Sequence, residues 1–216
     1  MPFFAIDKEL VFPPVRYAEP DGLLAMGGDL SPERLLLAYR SGIFPWYEGR
    51  DILWWSPDPR FVLFPSEIKI SKSMQTLLNK QAFVFTINKA FSEVIYHCQQ
   101  IDRKGQGGTW ITEEVRAAYT IMHTLGYAHS AEAWLDGQLV GGLYGIRLGK
   151  VFYGESMFSK ASNASKYAFI KYVETLKQEG VQLIDCQVYT EHLESLGARM
   201  VPRTQFVELL KLYLDA

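Results

Sequence analysis

A chain of 216 residues holds one large domain or two small ones, which leaves little room for a repeat array. Its 48% hydrophobic and 21% charged residues exclude the low-apolar, high-charge composition of disorder. Lys and Arg number 22 against 24 Asp and Glu, so the net charge of −2 carries no global signal for nucleic acid or an anionic membrane, and a polyanionic partner has to be met by a local patch.

The amino-terminal stretch is punctuated by Pro2, Pro13, Pro14, Pro20, Pro32 and Pro45, so long regular elements are not expected there. One helix stands out, opening on Ser31-Pro32-Glu33 and stopping at Gly42. An aromatic, proline-locked loop follows, with Trp46, Trp54 and Trp55, and ends at Ser56-Pro57-Asp58-Pro59-Arg60. Then come a short strand at 61–64, a helix at 71–79, a strand at 82–88 and a helix at 89–99; the glycine-rich segment 102–108 reads as a loop. Beyond it the pattern is more regular: a helix at 113–125, strands at 128–135, 138–147 and 150–158, a helix at 163–178, a strand at 181–188, a helical turn at 191–196 and a helix at 204–214. Asp136-Gly137 is a type I′ hairpin signal between the first two of those strands. The expected organisation is a small amino-terminal α/β domain, made of the segment 1–60 and the region 61–104, followed by a catalytic domain at 105–216.

Two cysteines, Cys98 and Cys186, exclude a disulfide framework, and the four histidines show no metal-ligand spacing. No metal or cofactor is expected. No run reaches the ~18 apolar residues of a membrane span. The start Met1-Pro2-Phe3-Phe4-Ala5-Ile6-Asp7 lacks the layout of a secretion signal, so a cytoplasmic protein that does not engage a membrane is expected.

Side chains alternate along Leu183-Ile184-Asp185-Cys186-Gln187-Val188, placing Asp185 and Gln187 on one face and Ile184, Cys186 and Val188 on the other. A carboxylate and an amide side by side on an apolar strand satisfy neighbouring groups or serve chemistry; burying an unpaired charge is costly in either case. Glu155, within Val151 to Phe158, is a second acid, base or ammonium receptor, or else an ion-pair partner of Lys160 or Lys166. Cys186 paired with His192 as a nucleophile is disfavoured, because parity turns the thiol away from Asp185. Trp46 and Trp110 lie in Gly- or Pro-punctuated loops suited to stacking on a nucleobase.

The order helix, three antiparallel strands, helix, strand, helix resembles the α+β acyltransferase fold of GNAT type, with a mixed, mainly antiparallel sheet. The junction Ser159-Lys160-Ala161-Ser162-Asn163-Ala164-Ser165 lacks the glycine loop that holds the coenzyme A pyrophosphate in such enzymes, which points to another acyl donor. Six motifs narrow the resemblance: Leu23 to Leu30, Gly42-Ile43-Phe44-Pro45-Trp46, Trp54 to Arg60, Gly108-Thr109-Trp110-Ile111-Thr112, Gly154-Glu155-Ser156-Met157-Phe158 and Leu183-Ile184-Asp185-Cys186-Gln187. Together they resemble the bacterial leucyl/phenylalanyl-tRNA-protein transferases.

That resemblance implies transfer of Leu or Phe, and less readily Met, from aminoacyl-tRNA to proteins that begin with Arg or Lys, in the N-degron pathway of protein degradation. It implies that Trp46 and Trp110 hold the terminal adenosine and that Glu155, Asp185 and Gln187 form the polar centre. Asp185 is expected to bind the attacking amine, Gln187 to complete the hydrogen-bond relay and Glu155 to orient a substrate. Leu143, Phe152, Met157, Tyr172 and Ile184 wall the acyl pocket by the same resemblance. Counted by twos, Phe152 and Ile184 face away from Glu155 and Asp185, so a pocket containing all four has to wrap round splayed strands.

Charge is unevenly spread. Arg60, Lys69, Lys72, Lys80, Lys89, Arg103 and Lys104 against Glu67, Glu93 and Asp102 give the segment 60–104 a net +4, and the remainder carries −6. Lys72 and Lys80, on the helix that is basic in the family, are the expected tRNA contacts. A monomer is expected. The rival readings are an acyltransferase with a different donor, such as acyl-coenzyme A, and a non-catalytic tRNA- or peptide-binding module.

Overall fold

The computed structural model describes residues 4–101 and 111–214, which form two sheets. The smaller has the strand order β1-β2-β4-β3, with β1 at Phe4–Ile6, β2 at Leu23–Gly27, β3 at Phe44–Pro45 and β4 at Leu53–Trp55. None of these strands exceeds five residues, as the prolines dictate. Trp54 is fully buried and donates its ring N–H to the Gly27 carbonyl at 2.9 Å, which pins β4 to the end of β2.

The larger sheet has seven strands in the order β11-β5-β10-β9-β8-β7-β6. They are β5 Arg60–Leu63, β6 Val84–Ile87, β7 Ala128–Leu135, β8 Gln138–Leu148, β9 Val151–Ser159, β10 Leu183–Gln187 and β11 Arg199–Val201. β7, β8 and β9 are antiparallel neighbours, and Asp136 (φ 50°) with Gly137 (φ 76°) make the expected hairpin turn between the first two. β10 runs parallel to β9 after the α5 crossover, so the sheet is mixed and mainly antiparallel in an α+β chain. The boundary drawn at 105 does not follow this sheet. β5 lies between β10 and β11, and β6 forms the far edge, so both strands of the segment 61–104 belong with the carboxy-terminal elements. All four residues of β5 are buried, and the apolar run Phe61-Val62-Leu63 needs neighbours on both edges and cover on both faces.

Seven α-helices, with single 3-10 turns at Val15–Tyr17 and Pro65–Glu67, complete the described residues: α1 Pro32–Arg40, α2 Lys72–Asn79, α3 Phe91–Gln99, α4 Glu113–Thr124, α5 Ala164–Gln178, α6 Glu191–Glu194 and α7 Arg203–Leu214. Successive strand residues feed two cores. Val151, Tyr153 and Leu183 join the core beneath α1, α3, α4 and α7, while Phe152 and Ile184 join the one beneath α2 and α5. Thr112 caps α4, its hydroxyl accepting from the Val115 N–H at 3.2 Å. Thr112→Ala is expected to lower the unfolding free energy by about 1 kcal/mol in urea titration.

Candidate active site

β10 carries Asp185 into the sheet interior, where it is fully buried. Arg60, equally buried, meets it with two hydrogen bonds, Nε to Oδ1 at 2.8 Å and Nη2 to Oδ2 at 2.7 Å. The guanidinium lies between the Phe44 and Phe206 rings at 4.7 and 4.6 Å and donates to the Gly42 carbonyl. Oδ1 also accepts the Gln187 backbone N–H at 2.9 Å. Asp185, expected to take the attacking amine, is therefore engaged inside the protein: its two oxygens face Arg60 and the backbone.

Gln187 ends β10 in the left-handed region at φ 64°, a conformation that strains a non-glycine residue. Pairing with β5 slips by one residue between Asp185 and Gln187, and the Val188 N–H folds back to the Cys186 carbonyl at 2.7 Å. This local break sends the Gln187 side chain towards Glu155, to whose Oε1 it donates at 2.9 Å.

Glu155 is itself the extra residue of a bulge. Gly154 pairs with Gly145 and Ser156 with Tyr144, leaving Glu155 unmatched in the ladder. The bulge needs a glycine opposite, since a Cβ on Gly145 would collide with the Tyr153 carbonyl and the Phe152 ring. Tyr39 OH of α1 lies 2.7 Å from Glu155 Oε1 and Tyr119 OH of α4 lies 3.1 Å from Oε2, and the two phenols also meet each other closely; their two protons serve two of these three contacts, and the third is completed when the Glu155 carboxyl carries its own proton. Burial pushes the Glu155 carboxyl up to about 7; Asp185 adds to the rise, while the Tyr39, Tyr119 and Gln187 hydrogen bonds oppose it. Burial, and then the charge of Glu155, push both phenols well above their ordinary range. The arrangement is a carboxyl that changes protonation near neutrality, held in a frame of neutral donors.

Pairing between β9 and β10 stops at Tyr153 opposite Asp185. Beyond that point the residues of both strands line a cavity of about 660 Å³, within the range of small-molecule sites. Its polar end holds Glu155 and Gln187, and its wall includes Leu143, Met157, Ile184, Phe169 and Cys186. Period-two counting puts Met157 on the face of Glu155, but the bulge shifts it into the same core as Phe152 and Ile184. Phe152 and Tyr172 do not line the cavity; they pack edge to face at 5.1 Å behind its wall. Cys186 is buried, and burial followed by the neighbouring Asp185 charge raises its thiol far beyond the reactive range.

Trp46 follows β3, half-buried and tilted against Trp55 at 5.6 Å, with its carbonyl accepting the Trp55 ring N–H. Trp110 lies outside the described residues. Lys72 and Lys80 are exposed at the two ends of α2, whose buried Met74 sits in the α5-side core. Among the described residues no cluster of three or more His, Cys, Asp or Glu is arranged to hold a metal ion, and no helix is long and apolar enough to cross a membrane.

A family model described as leucyl/phenylalanyl-tRNA protein transferase matches residues 62–211, and the model for the amino-terminal domain of the same family matches 28–58. The chain belongs to the leucyl/phenylalanyl-tRNA protein transferase family. It is thus an aminoacyltransferase. It is 61% identical over 205 residues to the transferase of that name from Flavobacterium johnsoniae, covering 94% of this chain and 97% of that one. With the one from Syntrophobacter fumaroxidans it shares 57% over 211 residues, 97% and 90% of the two chains. Among solved structures it is similar to a GCN5-related N-acetyltransferase from Anabaena variabilis, with a TM-score of 0.40, 10% identity and coverage of 83% and 43%.

Proposed function

We propose that this transferase moves Leu or Phe, and less readily Met, from aminoacyl-tRNA to the α-amino group of proteins that begin with Arg or Lys, marking them for the N-degron pathway in the cytoplasm. The observation that carries this reading is the Glu155–Gln187 pair at the polar end of an apolar cavity opened between β9 and β10. An aminoacyl ester is already activated, so the amine nitrogen attacks the ester carbonyl, the carbon–oxygen bond breaks and the ribose hydroxyl leaves. The demands on the protein are positioning, a neutral amine and a route for one proton.

Glu155 supplies that route. An α-amino group with a pKa of about 7.7 is partly neutral at neutral pH; as the neutral nitrogen bonds to the ester carbon, the Glu155 carboxylate, titrating near the same point, takes the proton the nitrogen loses and passes it to the departing ribose oxygen. Gln187 donates to the carboxylate through its amide N–H, which leaves its carbonyl to accept from the amine. Asp185 acts one step back as a positioning residue, holding the Gln187 backbone while Arg60 neutralises it. Leu143, Met157 and Ile184 receive the donor side chain, with Phe152 and Tyr172 supporting the wall. Trp46, together with Trp110, stacks on the terminal adenosine, an interaction of about 1–3 kcal/mol per base.

Purified protein with Leu-tRNA or Phe-tRNA and peptides beginning with Arg, Lys or Ala tests this reading. Labelled Leu is expected to appear on the Arg and Lys peptides and not on the Ala peptide; no transfer to any of them overturns it. Lys72 and Lys80 touch the tRNA backbone in this account. Lys72→Ala with Lys80→Ala is expected to weaken tRNA binding and to reduce the slope of log affinity against log salt by about 2. Unchanged affinity in a filter-binding titration removes that surface from the account.

A further inference from the structure

The cavity has a second end. Thr190 caps α6, its hydroxyl accepting from the Leu193 N–H at 3.2 Å, and Leu193 anchors that turn in the α5-side core. His192, one residue earlier, is held half-buried between these two fixed points. It lines the apolar cavity together with Met157, Phe169 and Cys186. It also lines a separate cavity of about 400 Å³ at the start of α5, a polar space bounded by Ser159, Lys160, Ser162 and Lys166. His192 is the one residue that these two linings share. Its Nε2 is buried and has no hydrogen-bond partner among the described residues. Burial, and then the nearby Lys166 charge, hold the imidazole below its ordinary pKa, so the ring stands as a neutral plate.

We infer that His192 is the partition that sets the depth of the acyl pocket, and so determines which donor side chains the transferase accepts. The inference rests on the reading of this cavity as the acyl pocket. With the ring in place, the donor side chain meets a flat wall whose far side is basic and hydroxyl-rich. Without it, the apolar cavity runs on into the polar one. A longer aromatic side chain then gains room, and an indole N–H gains hydroxyl acceptors. A wall that only filled space would be served as well by a phenyl ring, and the test uses that equivalence to separate ring bulk from ring chemistry.

The experiment measures kcat/KM for transfer from tRNA charged with Leu, Phe or Trp to an Arg-initiated peptide, in the wild type, His192→Ala and His192→Phe, with His192→Asn as a smaller change should the alanine variant fold poorly. His192→Ala is expected to raise the Trp-to-Leu ratio by about tenfold or more, the scale at which pocket volume discriminates, and His192→Asn to raise it less. His192→Phe is expected to keep the wild-type ratio. A Trp-to-Leu ratio in His192→Ala or His192→Asn equal to that of the wild type, with Leu transfer still measurable, overturns the proposal, as does a ratio raised equally by His192→Phe. Absence of Leu transfer by the wild type itself is a different failure, that of the proposed function.

Discussion

Glu155→Gln is expected to lower transfer from Leu-tRNA to an Arg-initiated peptide by about two to four orders of magnitude, the usual contribution of a positioned general base, while aminoacyl-tRNA still binds. The glutamine keeps the size and the neutral hydrogen bonding of the site but accepts no proton. It should also raise stability in alkaline solution. The folded pKa of Glu155, about 7, lies above its ordinary value of 4.5. The native state therefore holds this proton through a pH range in which the unfolded chain has lost it. The stability associated with the raised pKa is present below the ordinary value and is lost as pH rises through the folded one. The unfolding free energy of Glu155→Gln relative to wild type should grow by something on the order of 2 kcal/mol between about pH 5.5 and pH 8. Urea titrations at several pH values measure it, and a variant whose relative stability is flat with pH contradicts the assignment.

Arg60→Ala is expected to destabilise the protein by about 3–5 kcal/mol, because it leaves Asp185 as a buried carboxylate stripped of its partner. That is a large part of the ~5–15 kcal/mol by which domains are stable. Much of the loss should return in Arg60→Met with Asp185→Leu, where both charges and the Oδ1 acceptor are gone and the Phe44 and Phe206 rings close on an apolar chain. Transfer should not return with it. The Gln187 N–H is held by Asp185 Oδ1, and the strained φ of Gln187 depends on that hold, so the double variant folds with Gln187 misdirected. Asp185→Ala likewise should abolish peptide formation while leaving aminoacyl-tRNA binding in place. Measured unfolding free energies for the single and double variants, set beside their transfer rates, separate the two roles; a double variant with full activity refutes the positioning role of Asp185.

The helices were legible because their signals are local. Ser31-Pro32 opens α1 and Gly42 follows it, and Asp136-Gly137 turns the hairpin with both residues at positive φ. The polar residues on apolar strands were legible as well, since period-two alternation isolates Asp185 and Gln187 and leaves Glu155 as the acid in β9. The partners of these residues were not. Arg60 comes from 125 positions away, and Tyr39 and Tyr119 come from two helices on one side of the sheet. A signal existed for Arg60: a charged residue at the head of the apolar run Phe61 to Phe64 needs a buried counter-charge. Counting by twos also fails at a bulge, which is why Met157 belongs with Phe152 and Ile184 rather than with Glu155. The small sheet escaped notice because its strands are too short to show a period among the prolines.

The pH dependence of single-turnover transfer tests the assignment of the base most directly. With Leu-tRNA and an Arg-initiated peptide at limiting concentration, the wild-type rate is predicted to rise with pH through two ionisations, one near 7 from Glu155 and one near ~7.7 from the acceptor amine. Glu155→Gln is predicted to keep only the second, at a much lower rate. A wild-type profile with the amine ionisation alone, or a Glu155→Gln variant that follows the wild-type curve, would contradict the assignment of Glu155 as the group that takes the proton.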